Sequence, residues 1–224
     1  VKLGVLLPTF QSSAEPALAT AARVADEGLD GVFAYDHLWP MGSPERPALA
    51  PFPVLAAAAA RQSTLVVGPL VARVGLGDAT TVTERIRSLL LVAPGRVIAA
   101  LGTGDHLSKA ENLAYGLAYP RADERRAQLS EIILTLREQV PVWCGAGSDA
   151  TNRLARELDV TLNVWAAEPA RVRALALEGP VSWAGPLGDD PRARLDELRD
   201  AGATWAVAGP PFDLAVLGEW RRAQ

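Results

Sequence analysis

Short apolar, β-branched runs alternate with longer amphipathic runs from one end of the chain to the other, the pattern of repeated βα units around a parallel sheet. Residues 3–7 predict a first strand. Residues 16–27 predict a helix whose Leu18, Ala22 and Ala25 recur at helical spacing before Gly28 stops it. The second strand is expected at 31–35, an alanine-rich helix at 53–62, and the third strand at 64–71. A helix at 80–91 ends at Pro94 and Gly95, ahead of a fourth strand at 97–101. The clearest amphipathic pattern spans 124–138, where Leu129, Ile132, Ile133 and Leu136 share a stripe opposed by Arg125, Arg126, Glu131 and Arg137. Strand five follows at 140–144. Helices at 149–157, 170–178, 192–201 and 214–222 then alternate with strands at 160–164, 181–184 and 204–208.

Eight strands and eight helices in strict alternation predict a (β/α)8 barrel, the closed solution for eight right-handed βα units. No low-complexity linker divides the chain, so residues 1–224 are expected to form one domain. An open doubly wound sheet is the alternative if one or two of the weaker strands are misread. The length leaves roughly 28 residues per unit, near the low end for a barrel.

Composition narrows the classes of function. Hydrophobic residues make up 49% and charged residues 21%, which excludes a disordered chain. The net charge of −4 and the scarcity of lysine, confined to Lys2 and Lys109, leave no basic surplus for a nucleic-acid backbone. One cysteine, Cys144, cannot form an internal disulfide. With only His37 and His106 beside it, no zinc site is expected unless carboxylates contribute, and a cytoplasmic setting is the expectation. The least charged stretch, 47–60, carries three prolines and is too short for a bilayer span, and the N-terminus shows no small-residue cleavage site.

In a barrel, chemistry gathers in the loops that follow the strands. Strand two leads into Asp36-His37-Leu38-Trp39-Pro40, strand four into Gly102-Thr103-Gly104-Asp105-His106 with Glu111-Asn112 beyond, and strand five into Gly145-Ala146-Gly147-Ser148. The last of these opens a helix, so small residues there would let backbone N–H groups approach an anion; an ordinary strand-to-helix turn reads the same way. Each histidine has an aspartate neighbour, a pairing that either orients an imidazole for proton handling or only ties its loop. Trp39 offers a flat stacking surface on its loop, Trp165, Trp183 and Trp205 lie near strand ends, Trp143 reads as barrel filling or ligand contact, and Trp220 as packing. Arg73, after strand three, would meet either an anionic group or solvent.

Several stretches together carry a family resemblance. They are Gly4-Val5-Leu6-Leu7-Pro8, residues 30–38, Pro94-Gly95-Arg96-Val97, Leu101-Gly102-Thr103-Gly104, Glu111-Asn112-Leu113-Ala114-Tyr115-Gly116, Glu124-Arg125 and Pro141-Val142-Trp143-Cys144-Gly145. In this order and spacing the chain resembles the luciferase-like family of flavin- or deazaflavin-dependent oxidoreductases, a (β/α)8 barrel family. The resemblance implies a cofactor across the barrel mouth. It implies Asp36 and His37 beside the ring, Leu70 and Val71 as a strand-three bulge with a non-prolyl cis peptide, and Gly102, Thr103 and Gly104 against the ring. Asn112 would be a polar contact beyond, and Gly145, Ala146 and Gly147 would receive the phosphate. His37, Asp105 and Asp36 become the candidates for proton handling, and Trp39 and Trp165 for substrate contact.

The Asp-His-Leu-Trp loop and the Glu-Asn-x-Ala-Tyr-Gly stretch look more like the branch that uses the deazaflavin coenzyme F420 than like the FMN luciferases. This implies hydride transfer with a small organic substrate, with an FMN-dependent monooxygenase as the alternative and a non-catalytic cofactor-binding protein as a second. Two departures stand out. Residues 136–139 run almost directly into strand five where relatives carry more chain, and Pro69 replaces a small polar residue common in the family. Relatives often dimerise through barrel helices, so a homodimer is one expectation; the alanine-rich 55–60 stretch could permit close packing there, although such a stripe is more often helix-on-sheet core.

Overall fold

A computed structural model describes residues 1–104 and 108–224. The elements run β1 (Lys2–Leu6), α1 (Glu15–Asp26), β2 (Gly31–Ala34), α2 (Pro51–Arg61), β3 (Val66–Pro69), β4 (Ala72–Arg73), α3 (Ala79–Val92), β5 (Ala99–Gly102) and α4 (Ser108–Ala114). They continue with α5 (Ala122–Leu136), β6 (Val142–Gly145), α6 (Asp149–Glu157), β7 (Thr161–Trp165), α7 (Pro169–Ala176), β8 (Val181–Pro186), α8 (Pro191–Asp200), β9 (Trp205–Gly209) and α9 (Leu214–Arg222). Every strand pair is parallel, in the order β3-β2-β1-β9-β8-β7-β6-β5-β4. The two ends of that order are consecutive in the chain. Val67 also reaches across to the segment before β5, where its N–H donates to Arg96 O at 2.8 Å and its carbonyl accepts from Ile98 N at 3.0 Å. The sheet therefore curls into the expected barrel.

Two features differ from the expected eight-plus-eight count. The third strand is cut into β3 and β4 at Leu70–Val71, whose peptide bond is cis despite Pro69 just before it. The short helix α4 is additional, its seven residues too few to display a periodicity. Elsewhere the elements begin and end within about two residues of expectation, as helix ends commonly do. Local chemistry explains their limits: Pro16, Pro51, Pro169 and Pro191 occupy first-turn positions, and Asp78, Ser148 and Asp190 accept N–H bonds as caps.

Burial separates into two shells. Alternate strand residues such as Leu3, Val5, Val32 and Val67 face outward and pack against the inner stripes of the helices. The intervening residues fill the barrel, with Phe33 stacked on Trp143 at 5.2 Å and Trp205 edge-on to both at 5.6 and 5.7 Å. Glycine makes room for this plug: a Cβ on Gly4 would stand 2.9 Å from the Phe33 ring. Burying each such side chain contributes roughly 1.5–3 kcal/mol. Trp143 and Trp205 thus form the floor of the barrel. Trp183 points outward and donates Nε1–H to Ala167 O at 2.8 Å, and Trp220, on α9, is buried with Nε1–H on Asp196. No helix among the described residues is long and apolar enough to cross a membrane.

Candidate active site

Above the aromatic floor the strand-following loops enclose a cavity of about 460 Å³. Of the residues singled out by sequence, His37, Leu70, Val71, Gly102, Thr103, Gly104, Gly145, Ala146, Gly147 and Trp165 line it. Asp105 lies outside the described residues. Asp36, Asn112 and Trp39 stand away from the cavity. Trp39 does not line the cavity: the residue is 9% exposed and its ring lies 5.9 Å from that of Tyr115.

The polar core of the site is a buried network centred on Glu111. Its Oε1 meets His37 Nδ1 at 2.7 Å, and its Oε2 accepts from Leu38 N at 2.9 Å and from Arg73 Nη2 at 2.8 Å. Arg73 also donates from Nε to Asp36 O at 2.9 Å, while its backbone N–H donates to Asp36 Oδ2 at 3.0 Å. The carboxylate that His37 meets is therefore that of Glu111, not of its neighbour Asp36. Burial pushes the Asp36 carboxyl above the usual carboxylate range, opposed by the Arg73 N–H and then by the Arg73 charge. Arg73 is likewise far from the solvent contact considered for it: it is 4% exposed, its guanidinium held by the Glu111 carboxylate and the Asp36 main-chain carbonyl. Asn112 performs a framing role one residue on, its Nδ2 donating to Gly75 O and Ala118 O at 2.9 Å each.

The turn after β6 holds part of its own donor set. Ala146 N donates to Asn163 O at 2.7 Å, and Gly147 N to Asn152 Oδ1 at 3.3 Å. Ser148 caps α6 by accepting from Thr151 N. What remains for an anion is the pair of N–H groups of Asp149 and Ala150 at the start of α6, because Thr151 N and Asn152 N donate back to Ser148.

Comparison with known proteins places this geometry in a family. Residues 1–140, more than half of the chain, match the family described as luciferase-like monooxygenase. The chain belongs to that family. It is similar to an F420-dependent glucose-6-phosphate dehydrogenase of Nakamurella multipartita, 32% identical over 57% of this chain and 37% of the relative. It is also similar to an F420-dependent hydroxymycolic acid dehydrogenase of Mycobacterium tuberculosis, 28% identical over 89% of this chain and 54% of the relative. The chain thus spans about half or less of the length of these curated relatives. A solved F420-dependent secondary alcohol dehydrogenase in complex with an F420–acetone adduct superimposes over 97% of both chains with a TM-score of 0.79 at 13% identity, a likeness of fold.

The walls of this luciferase-like barrel suit a flat, polar-edged heterocycle. Val71 projects beside Gly102 and Gly145, where a Cβ would come within 2.5 and 3.3 Å of its methyl groups, so these glycines let the bulge form a smooth apolar floor. Beside it, Arg73 Nη1 is buried with no partner among the described residues, a donor that an acceptor atom of a bound group would satisfy. Cys144 lies beneath the site, and burial pushes its thiol up to about 12, which removes it as a nucleophile. Sequence reasoning did not assign roles to Glu111, Phe10, Tyr35, Met41, Ser108 or Asn163. Asn163 did leave a signal: a lone amide two residues before Trp165 in an apolar strand faces the same way as that tryptophan.

Proposed function

We propose that this luciferase-like barrel is an F420-dependent oxidoreductase that moves a hydride between the deazaflavin and a small organic substrate. The carrying observation is the mouth itself, an apolar Leu70–Val71 floor flanked by glycines and overlooked by a histidine anchored on a buried carboxylate. The names of the curated relatives support the choice of cofactor. When bound, the deazaflavin supplies a hydride-transferring carbon; the protein supplies orientation and the proton.

Leu70, Val71, Gly102, Thr103 and Gly104 hold the ring in this reading. The first turn of α6 beyond Gly145, Ala146 and Gly147 takes the phosphate. Glu111 accepts from His37 Nδ1–H, which leaves Nε2 as the nitrogen that gives or takes the substrate proton. Asp36 acts through Arg73 as a support and does not reach the substrate.

Titration of the purified protein with F420 and, separately, with FMN tests this reading by cofactor fluorescence and by the rise in Tm. F420 is expected to bind and stabilise. Preferential binding of FMN with oxygen consumption transfers the site to monooxygenation, and no response to either overturns the cofactor assignment. His37→Ala is expected to keep F420 binding and lose about 100-fold or more in kcat; unchanged turnover removes His37 from proton handling.

A further inference from the structure

The two halves of the barrel rim differ in chemistry. The arc from β3 to β6 presents Leu70, Val71 and glycines. The arc from β7 through β9 to β2 presents a row of aromatic rings: Phe10 stacks on Tyr35 at 5.6 Å with the planes 9° apart, and Tyr35 meets Trp165 at 6.0 Å. Trp165 is 52% exposed, whereas the other five tryptophans are buried, none of them more than 9% exposed. Its indole edge approaches β9 at Gly209, where a Cβ would lie 3.4 Å from the ring, an ordinary contact. Burial pushes the Tyr35 hydroxyl up to about 12, so it remains a neutral group within the row.

We infer that the Phe10–Tyr35–Trp165 row is the substrate subsite and that it takes an uncharged, flat or aromatic ketone or alcohol, not a phosphorylated sugar. The inference rests on the redox reading above only for the word substrate; the capture chemistry stands on the rings. Aromatic faces attract apolar and π-bearing molecules without demanding charge. A phosphate demands cations, and the described lining offers only His37 and Arg73. Arg73 gives Nη2 to Glu111 and Nε to the Asp36 main-chain carbonyl, which among the described residues leaves Nη1 as its one open donor, and His37 turns one nitrogen to the same Glu111. Glu111 thus serves both cations, the Asp36 carboxyl is buried beside Arg73, and the described residues of the mouth carry no positive excess to hold a dianion. Lys109, on α4, is exposed and does not line the cavity.

Saturation-transfer NMR with acetophenone and with glucose 6-phosphate tests the subsite on the intact protein, with and without saturating F420. Acetophenone is expected to bind in both conditions, to weaken about tenfold in Trp165→Ala and to recover in Trp165→Phe, with glucose 6-phosphate giving no signal. Binding of the sugar phosphate at least as tight as the ketone overturns the proposal, as does unchanged ketone binding in Trp165→Ala or none at all. Displacement of acetophenone by F420 assigns the aromatic row to the cofactor and also overturns it. Failure of F420 to bind while acetophenone still does would sink the redox reading alone.

Discussion

Glu111 holds more of the site together than any other side chain. It is 1% exposed, yet it joins His37, 74 residues away, to Arg73, 38 residues away, and fixes the backbone of the loop at Leu38. Removing one member of a buried charged pair leaves the other uncompensated in a poor solvent for ions. Glu111→Gln is therefore expected to lower the unfolding free energy by roughly 3–5 kcal/mol. Pairing it with Arg73→Met removes the stranded charge, so the double variant should be less destabilised than the two single losses added. A double-mutant cycle by urea denaturation measures this, and simple additivity would show that the pair does not couple. The hub was only half legible in the sequence. Glu111 belongs to a recognisable stretch and Arg73 follows a strand, but their meeting is made by barrel closure, and adjacency drew attention to Asp36 as the partner of His37 instead.

At the level of elements, caps and periodicity made most of the barrel readable before any coordinates, because outward-facing apolar residues must recur every second position in strands and every three to four in helices. The failures have local causes. The break at Leu70–Val71 lies inside one continuous apolar run, so hydropathy cannot show it, although the family resemblance did. Trp39 was chosen for its loop position, and nothing local announces that its ring lies beside that of Tyr115, away from the cavity lining. Helix α3 shows what capping contributes. Asp78 Oδ1 accepts from Thr81 N at 2.7 Å, and that bond, with help from the Thr81 hydroxyl, holds the carboxyl below its ordinary range. A carboxyl with a lower pKa folded than unfolded stabilises the fold above the unfolded value and loses that contribution as acid takes it through the folded value. Asp78→Ala should thus lower Tm by about 2–4 °C at neutral pH, with the gap to wild type closing in acid. A gap that persists at low pH would mean that the loss comes from something other than the charged cap.

The whole molecule depends on joining its first strand to its last helix, because β1 sits between β2 and β9 and the barrel is complete only when that seam holds. Asp30 is the fastener. Its Oδ2 accepts from Leu3 N at 2.8 Å and from Arg221 Nε at 2.9 Å, and its Oδ1 accepts from Arg221 Nη2 at 3.1 Å. One side chain thus connects β1, the start of β2 and α9 across 191 residues of sequence. The Arg221 side chain is about one-third exposed, so solvent screens the ion pair and its own share is modest. The larger loss on truncation is the Leu3 N–H left without an acceptor. Together these place Asp30→Ala at about 1–3 kcal/mol of lost stability. Asp30→Asn retains a carbonyl oxygen for one donor and should fall between wild type and alanine. Because the seam is far from the mouth, cofactor affinity measured well below Tm should stay at the wild-type value in both variants. Loss of F420 binding without loss of Tm would instead mean that closure at the base sets the geometry of the rim.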